Sequence, residues 1–217
     1  MSAGDEFAEA REQMVAVQLA GRGERPITDP RALEAMRRVP REAFVPECDR
    51  RDAYGDHPLP IGHGQTISQP YIVALMTQSL APRPGERILE VGSGCGYQSA
   101  VLAEMGAQVF AAEFMGDLAE QAREKLDALG YGGRVRIRSG DGRAAWLDEA
   151  PFDGILVACA PEHTPPELIA QLKPGGRLVL PAGPANQPQT LLLVSKDPSG
   201  AIREEPICGV RFVPMLE

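Results

Sequence analysis

From Arg87 onward the chain alternates short apolar runs with helical stretches, and that alternation restricts the fold more than any other feature. RILEV leads to SAVLAEM, then QVFAAE leads to a longer amphipathic stretch over 115–129. Strand–helix–strand units of this kind build a parallel sheet, because each helix carries the chain back across a sheet face before the next strand begins. In the longer stretch Leu118, Ala122, Leu126 and Leu129 share one helical face, and Gly130 follows as a C-terminal cap. RVRIRS, GILVACA, GRLVLP and TLLLVS supply further strands. The first and the last two of these alternate apolar with polar residues more than a strand covered on both faces would, which predicts places toward the sheet edges. The fold class read from this pattern is α/β, a mostly parallel, doubly wound sheet.

The ends of the chain have a different character. TLLLVSK and a run ending in GVRFVPM flank the turn-rich KDPSG, so an antiparallel hairpin is expected to extend the sheet. Before Arg87, helical segments are expected over 6–19 and 30–38, then a Gly/Pro/His-rich loop over 55–69, then a helix opened by Pro70. At 217 residues a single domain is expected, with a helical layer and loop over 1–86, a ligand-binding core over 87–183 and antiparallel strands over 184–217.

Charge and composition exclude several functions. Lys and Arg number 22 against 30 Asp and Glu, a net charge of −8, and no basic cluster exceeds a pair, which disfavours phosphate-driven nucleic-acid binding. The opening MSAGDEFAEAREQM lacks an apolar run of signal-peptide length, and no stretch approaches the roughly 20 apolar residues of a bilayer span. A cytoplasmic chain without a membrane partner is the expectation, with a monomer as the default. Cys48, Cys95, Cys159 and Cys208 are far apart, as are His57, His63 and His163, so neither a disulfide framework nor a metal site is expected.

The sharpest local signal is ILEVGSGCGYQ, where an apolar strand runs through Gly92, Gly94 and Gly96 into a helix. Glycines there permit positive φ and close approach of backbone to a ligand. A dinucleotide fingerprint needs its third glycine at 97, which is Tyr97, and no Gly-Lys-Ser/Thr phosphate loop occurs. Glu113 stands 21 positions beyond Gly92, at the end of the second strand, where a carboxylate accepts from ribose hydroxyls. Asp141 and Gly142 follow the third strand, where Asp141 is placed to accept from an adenine amino group. Each feature alone has a structural explanation: Glu113 as an acid at a helix start, Asp141-Gly142 as a turn. Together, in this order, they point to a nucleoside without phosphates, and S-adenosylmethionine is the common one.

At this point the chain resembles the protein-L-isoaspartate O-methyltransferases almost end to end. MVAVQL, AMRRVPREAFVPE, PLPIGHGQTISQPYIVALM, ILEVGSGCGYQ, SGDG, PFDGILV, LKPGGRLVLPAG and GVRFVPM carry the resemblance, and GQTISQP is its most specific part. It implies a Rossmann-like methyltransferase fold, S-adenosylmethionine as donor (S-adenosylhomocysteine as product), and the free α-carboxylate of isoaspartyl residues in damaged proteins and peptides as acceptor. By the same resemblance the catalytic serine falls on Ser68, with Thr66 and Ile67 in the loop covering the cofactor. Gly92, Ser93, Gly94 and Gly96 fall on the cofactor turn, Glu113 on the ribose acid with Phe114 after it as a further cofactor-binding residue, and Asp141 and Gly142 on the adenine site. His63 departs from the family's usual Tyr and Cys95 from its usual Ser. The alternative is a methyltransferase of the same fold acting on a small molecule or RNA.

Methyl transfer to a carboxylate needs no general base, since a group with pKa near 4 is already ionised at neutral pH. His63 therefore reads as a loop residue and Cys95 as packing. Tyr71, Tyr97 and Gln98 are expected near the pocket. Ser68 is read as holding the acceptor carboxylate, and its competing role is to cap the helix opened by Pro70. GVRFVPM is expected to pair with an extended peptide as an added strand.

Overall fold

A computed structural model describes residues 6–185 and 187–216. Its main sheet has seven strands: β3 (Arg87–Val91), β4 (Gln108–Glu113), β5 (Val135–Ser139), β6 (Phe152–Val157), β7 (Leu172–Ala182), β8 (Gln189–Lys196) and β9 (Ile202–Val210). A separate hairpin, β1 (Leu59–Gly62) and β2 (Gln65–Ile67), precedes them. The helices are α1 (Ala8–Gln13), α2 (Pro30–Arg38), α3 (Pro70–Leu80), α4 (Tyr97–Glu104), α5 (Gly116–Ala128) and α6 (Pro166–Ala170), with a wider turn of helix over Met14–Ala20 continuing α1.

Strand order is β5-β4-β3-β6-β7-β8-β9, parallel from β5 to β7 and antiparallel thereafter. The chain winds outward from β3 to β5, then returns to the other side of β3 for β6. That reversal leaves a crevice beyond the carboxyl ends of β3 and β6, where open α/β sheets bind ligands. Alternation within strands divides the core between the two sheet faces. Ile88, Val109 and Leu156 pack with α3 and α4, whereas Leu89, Phe110 and Ile155 pack with Trp146 and Leu168 on the other side.

The expected helices are present, and Leu118, Ala122 and Leu126 of α5 are buried. The edge expectation is corrected in part. RVRIRS forms β5 at one edge, but GRLVLP and TLLLVS lie inside the sheet, because β9 covers β8 and becomes the second edge itself. Leu178, Val179 and Leu180 of β7 are all buried, so that strand is covered on both faces, whereas Leu192 and Leu193 of β8 stay half-buried. KDPSG closes the β8–β9 hairpin, with Asp197 Oδ1 accepting from the backbone N–H groups of Ser199 and Ala201. GVRFVPM leaves the strand after Val210 and crosses the end of the sheet, where Ala160 N–H donates to the Val213 carbonyl and Met215 N–H to the Ala160 carbonyl. The loop expected over 55–69 contains the β1–β2 hairpin, whose tip Gly62-His63-Gly64 is exposed with positive φ at all three residues. Among the described residues no helix is long and apolar enough to cross a membrane.

Candidate active site

The turn after β3 is held by its neighbouring strand. Gly92 and Ser93 N–H both donate to the Ala112 carbonyl of β4, at 2.8 and 3.2 Å, and Gly92 adopts φ 80°. Glu113, buried at the end of β4, receives Gly94 N–H on one carboxylate oxygen at 2.8 Å and Met115 N–H on the other at 3.0 Å. Two backbone donors therefore fix the carboxylate at the rim of the crevice while its remaining lone pairs stay available. Gly140 N–H bonds the Glu113 carbonyl, drawing the turn after β5 alongside. Gly142 is pressed so closely on β3 that a Cβ there would stand 2.3 Å from Val91 Cγ1.

These turns enclose a cleft of about 550 Å³. Gly92, Gly94, Glu113, Phe114 and Gly142 line it, and Thr66 of β2 and residues 213–216 of the tail close it from above. Cys159 lies on its floor, its thiol pushed up to about 12 by burial and by the nearby Glu113 and Asp141 carboxylates, so it is no nucleophile at neutral pH.

An inner recess of about 340 Å³ adjoins the cleft and brings Ser68, Ile67 and Thr66 to the same walls as Gly92, Ser93 and Gly94. Tyr97 and Gln98 line it as expected. Glu90 and Ser93 each present to this recess a buried side-chain oxygen without a hydrogen-bond partner among the described residues. Glu90 is wholly enclosed, and its carboxyl is pushed up to about 7 by burial, with the Ser99 hydroxyl bond pulling the other way.

Beyond Thr66 a third hollow, about 800 Å³, holds Ser68, Gln69, Ile72 and Arg211. Thr66 and Ala158 line all three spaces, so the glycine turn and the 65–68 segment face each other across one crevice. Ser68 does not cap α3: the cap position is Gln69, with no side-chain cap bond, and the Ser68 hydroxyl has no hydrogen-bond partner among the described residues. Its carbonyl is held by Arg41 Nη2 at 2.8 Å, while Arg41 Nε donates to the Ala53 carbonyl at 2.7 Å. Arg41 is fully buried against the Tyr97 ring, and burial lowers its pKa.

Three expected residues, Asp141, Gly96 and Tyr71, stand outside these walls. Asp141 turns to Arg143, whose backbone and guanidinium both donate to it; burial raises the carboxyl and these bonds more than offset that, leaving it below the usual carboxylate range. Gly96 starts α4 beneath Leu126, where a Cβ would stand 2.9 Å from Leu126 Cδ1. Tyr71 lines a different groove and donates to the Arg25 carbonyl at 3.0 Å. Cys95 is buried, its thiol raised by burial, and His63 sits at the exposed hairpin tip. Sequence reasoning missed Cys159, Arg211 and the tail as walls of these spaces, and Arg41 as the residue that holds the Ser68 carbonyl. Of these, Arg211 and the tail lie in GVRFVPM, a run that the sequence did single out.

A family model described as Protein-L-isoaspartate(D-aspartate) O-methyltransferase (PCMT) matches residues 11–217. A protein-L-isoaspartate O-methyltransferase of Methylorubrum extorquens is 56% identical over 96% of this chain and 89% of its own length. One from Methylorubrum populi is 54% identical over 95% of both chains. A solved protein-L-isoaspartate O-methyltransferase superposes with TM-score 0.81 at 26% identity, covering 94% of this chain and 65% of that one. A Plasmodium falciparum structure assigned to the same enzyme class, solved with S-adenosyl-L-homocysteine, superposes with TM-score 0.80 at 24% identity over 95% of this chain and 98% of its own, a likeness of fold.

Proposed function

The chain belongs to the protein-L-isoaspartate(D-aspartate) O-methyltransferase family, and from that premise we propose how its residues divide the work of methylating isoaspartyl carboxylates. It is an S-adenosylmethionine-dependent protein repair methyltransferase with the fold of that class. The donor supplies a methyl group on a sulfonium.

The walls of the cleft suit such a donor. Glu113 takes the ribose hydroxyls, and Phe114, exposed beside it, offers its ring to the adenine. The orphaned oxygens of Glu90 and Ser93 in the inner recess supply an acceptor and a hydroxyl for an amino-acid terminus. Ile67 and Thr66 of the hairpin, with the tail, keep water from the reacting atoms. Asp141 reaches the adenine only by sharing its carboxylate with Arg143, whereas Gly140 and Gly142 meet the cleft through backbone. Gly96 serves by admitting α5.

The acceptor enters the hollow on the other side of Thr66. Ser68 Oγ, free of any capping duty, donates to the acceptor carboxylate, and Arg211, the only ionisable group on that wall among the described residues, draws it in by charge. No residue there needs to act as a base. The protein's contribution is to position an already ionised nucleophile and keep water away, and orientation of that kind can supply about 7–11 kcal/mol. The outer edge of β9 bears no strand, so an extended peptide pairs along Gly209–Arg211, while the tail beyond is committed to Ala160.

The meeting of the two spaces at Thr66 and Ala158 carries this reading. A cytoplasmic single domain, acting as a monomer without nucleic acid or membrane, fits the acidic charge and the surface. Labelled methyl transfer to an isoaspartyl peptide, set beside its normal aspartyl twin, tests it: transfer to the first alone is expected, and equal transfer to both, or to neither, overturns it.

A further inference from the structure

The acceptor hollow does not end at Gln69 and Ile72. Those two residues and Gly209 also line an outer groove of about 1070 Å³ that runs past Tyr71 to Arg22, Glu24 and Arg25. The two spaces share these three walls, so the outer groove adjoins the hollow that holds Ser68, and together they make a channel toward the protein surface.

Its charge is opposite to that of the molecule. On a chain of net charge −8, three arginines, Arg22, Arg25 and Arg211, line the channel against one acid, Glu24. Arg22 is partly neutralised, pairing with Asp56 at 2.8 Å while lying over the Tyr71 ring at 3.8 Å. Arg25 is not: its guanidinium donates to the Ile207 carbonyl and makes no ion pair among the described residues. Its backbone is held as well. Arg25 sits at φ 53°, a conformation costly for a residue with a side chain, and Tyr71 Oη holds its carbonyl at 3.0 Å. A strained, exposed residue tied at both ends keeps a positive charge at a set place beside the outer edge of β9.

We propose that this groove is a subsite for the peptide flanking the isoaspartyl residue, and that Arg25, supported by Arg22, favours substrates carrying an aspartate or glutamate side chain within a few residues of the damaged site. The inference rests on the acceptor assignment above. An extended peptide advances about 3.3 Å per residue with alternate side chains on one side, so one or two flanking positions are expected to show the effect. The attraction is between solvent-exposed charges, so it acts mainly on KM and weakens with salt.

The test is a set of isoaspartyl peptides of equal length, with alanine throughout or with a single glutamate or lysine at each of the three positions on either side. At low ionic strength, glutamate at one or more positions is expected to raise kcat/KM roughly two- to fivefold over alanine, through KM, with lysine lowering it. At about 0.5 M salt the three peptides are expected to converge. Arg25→Gln is expected to abolish the preference and Arg25→Glu to invert it. Equal kcat/KM for wild type across the set at low salt overturns the proposal, as does a preference that survives high salt. A preference unchanged in a folded Arg25→Glu protein overturns it too. The wild-type salt comparison stands even if neither variant folds. Failure to methylate even the all-alanine peptide would instead overturn the acceptor assignment, and this inference with it.

Discussion

Ser68 and Glu113 illustrate how one side chain's duties are separated by its hydrogen bonds. Ser68 spends its carbonyl on Arg41 and leaves its hydroxyl free, with Gln69 at the helix cap. Ser68→Ala is therefore expected to lower kcat roughly ten- to a hundredfold, the worth of a hydrogen bond to a charged group, and to leave stability within about 0.5 kcal/mol. Parallel turnover and thermal melts check this; a loss of about 1 kcal/mol with full turnover would restore the capping role. Glu113→Gln puts an amide N–H against one of two backbone donors and is expected to weaken S-adenosylhomocysteine binding by about tenfold or more in calorimetry. Glu90 adds a pH dependence. Its carboxyl titrates near 7 in the fold and near the ordinary carboxylate value of 4.5 when unfolded, so the native state holds the proton more tightly. That stability is fully present below about pH 4.5 and is lost as pH rises through about 7, amounting to at most about 3 kcal/mol. Denaturant titrations of the ligand-free protein between pH 5 and 8 are expected to show this decline, and Glu90→Gln to flatten it.

Among the elements, the hairpin and the tail form the roof of the site, the tail tied through Ala160 and Gln189 and the hairpin flanked by the bonds of Arg41. Arg41 joins the carbonyls of Ala53 and Ser68, on either side of the hairpin, from a wholly buried position. Removing it strands two carbonyls, so Arg41→Ala is expected to cost about 2–4 kcal/mol and to expose residues 55–69 to limited proteolysis. A variant cleaved no faster there than wild type would show that the hairpin is held by its own packing. Arg41 lies in AMRRVPREAFVPE, a run that signals the family but not the contact, since a charged residue at a helical-turn start normally faces water. The glycine turn was legible because its conformation is local: Gly92 and Gly94 need positive φ wherever the chain goes next. The hairpin in 55–69 was not, because its short strands pair only with each other and no alternating pattern marks them.

For the whole molecule, the alternation after Arg87 is enough to give a parallel sheet, but strand order depends on which side of β3 the sixth strand takes, and that is decided by tertiary packing. GRLVLP and TLLLVS read as edge strands because sequence shows the polarity of a strand and not the neighbours that hide it. The actual edges are β5 and β9, and their surfaces argue about assembly. Exposed β9 carries Arg203, Glu204, Glu205 and Pro206 in succession, so it offers charge and a missing N–H where a second copy would pair. β5 carries Arg136 and Arg138, each ion-paired to an acid of the following segment, Glu149 and Asp148. Like charge on a molecule of −8 adds long-range repulsion between copies. Sedimentation velocity is accordingly expected to return the mass of one chain, unchanged between low and moderate salt. A dimer that strengthens as salt screens the repulsion, and that is broken by a further charge at Ile202 on β9, would show that this edge is an interface after all and would place the peptide channel beside a partner.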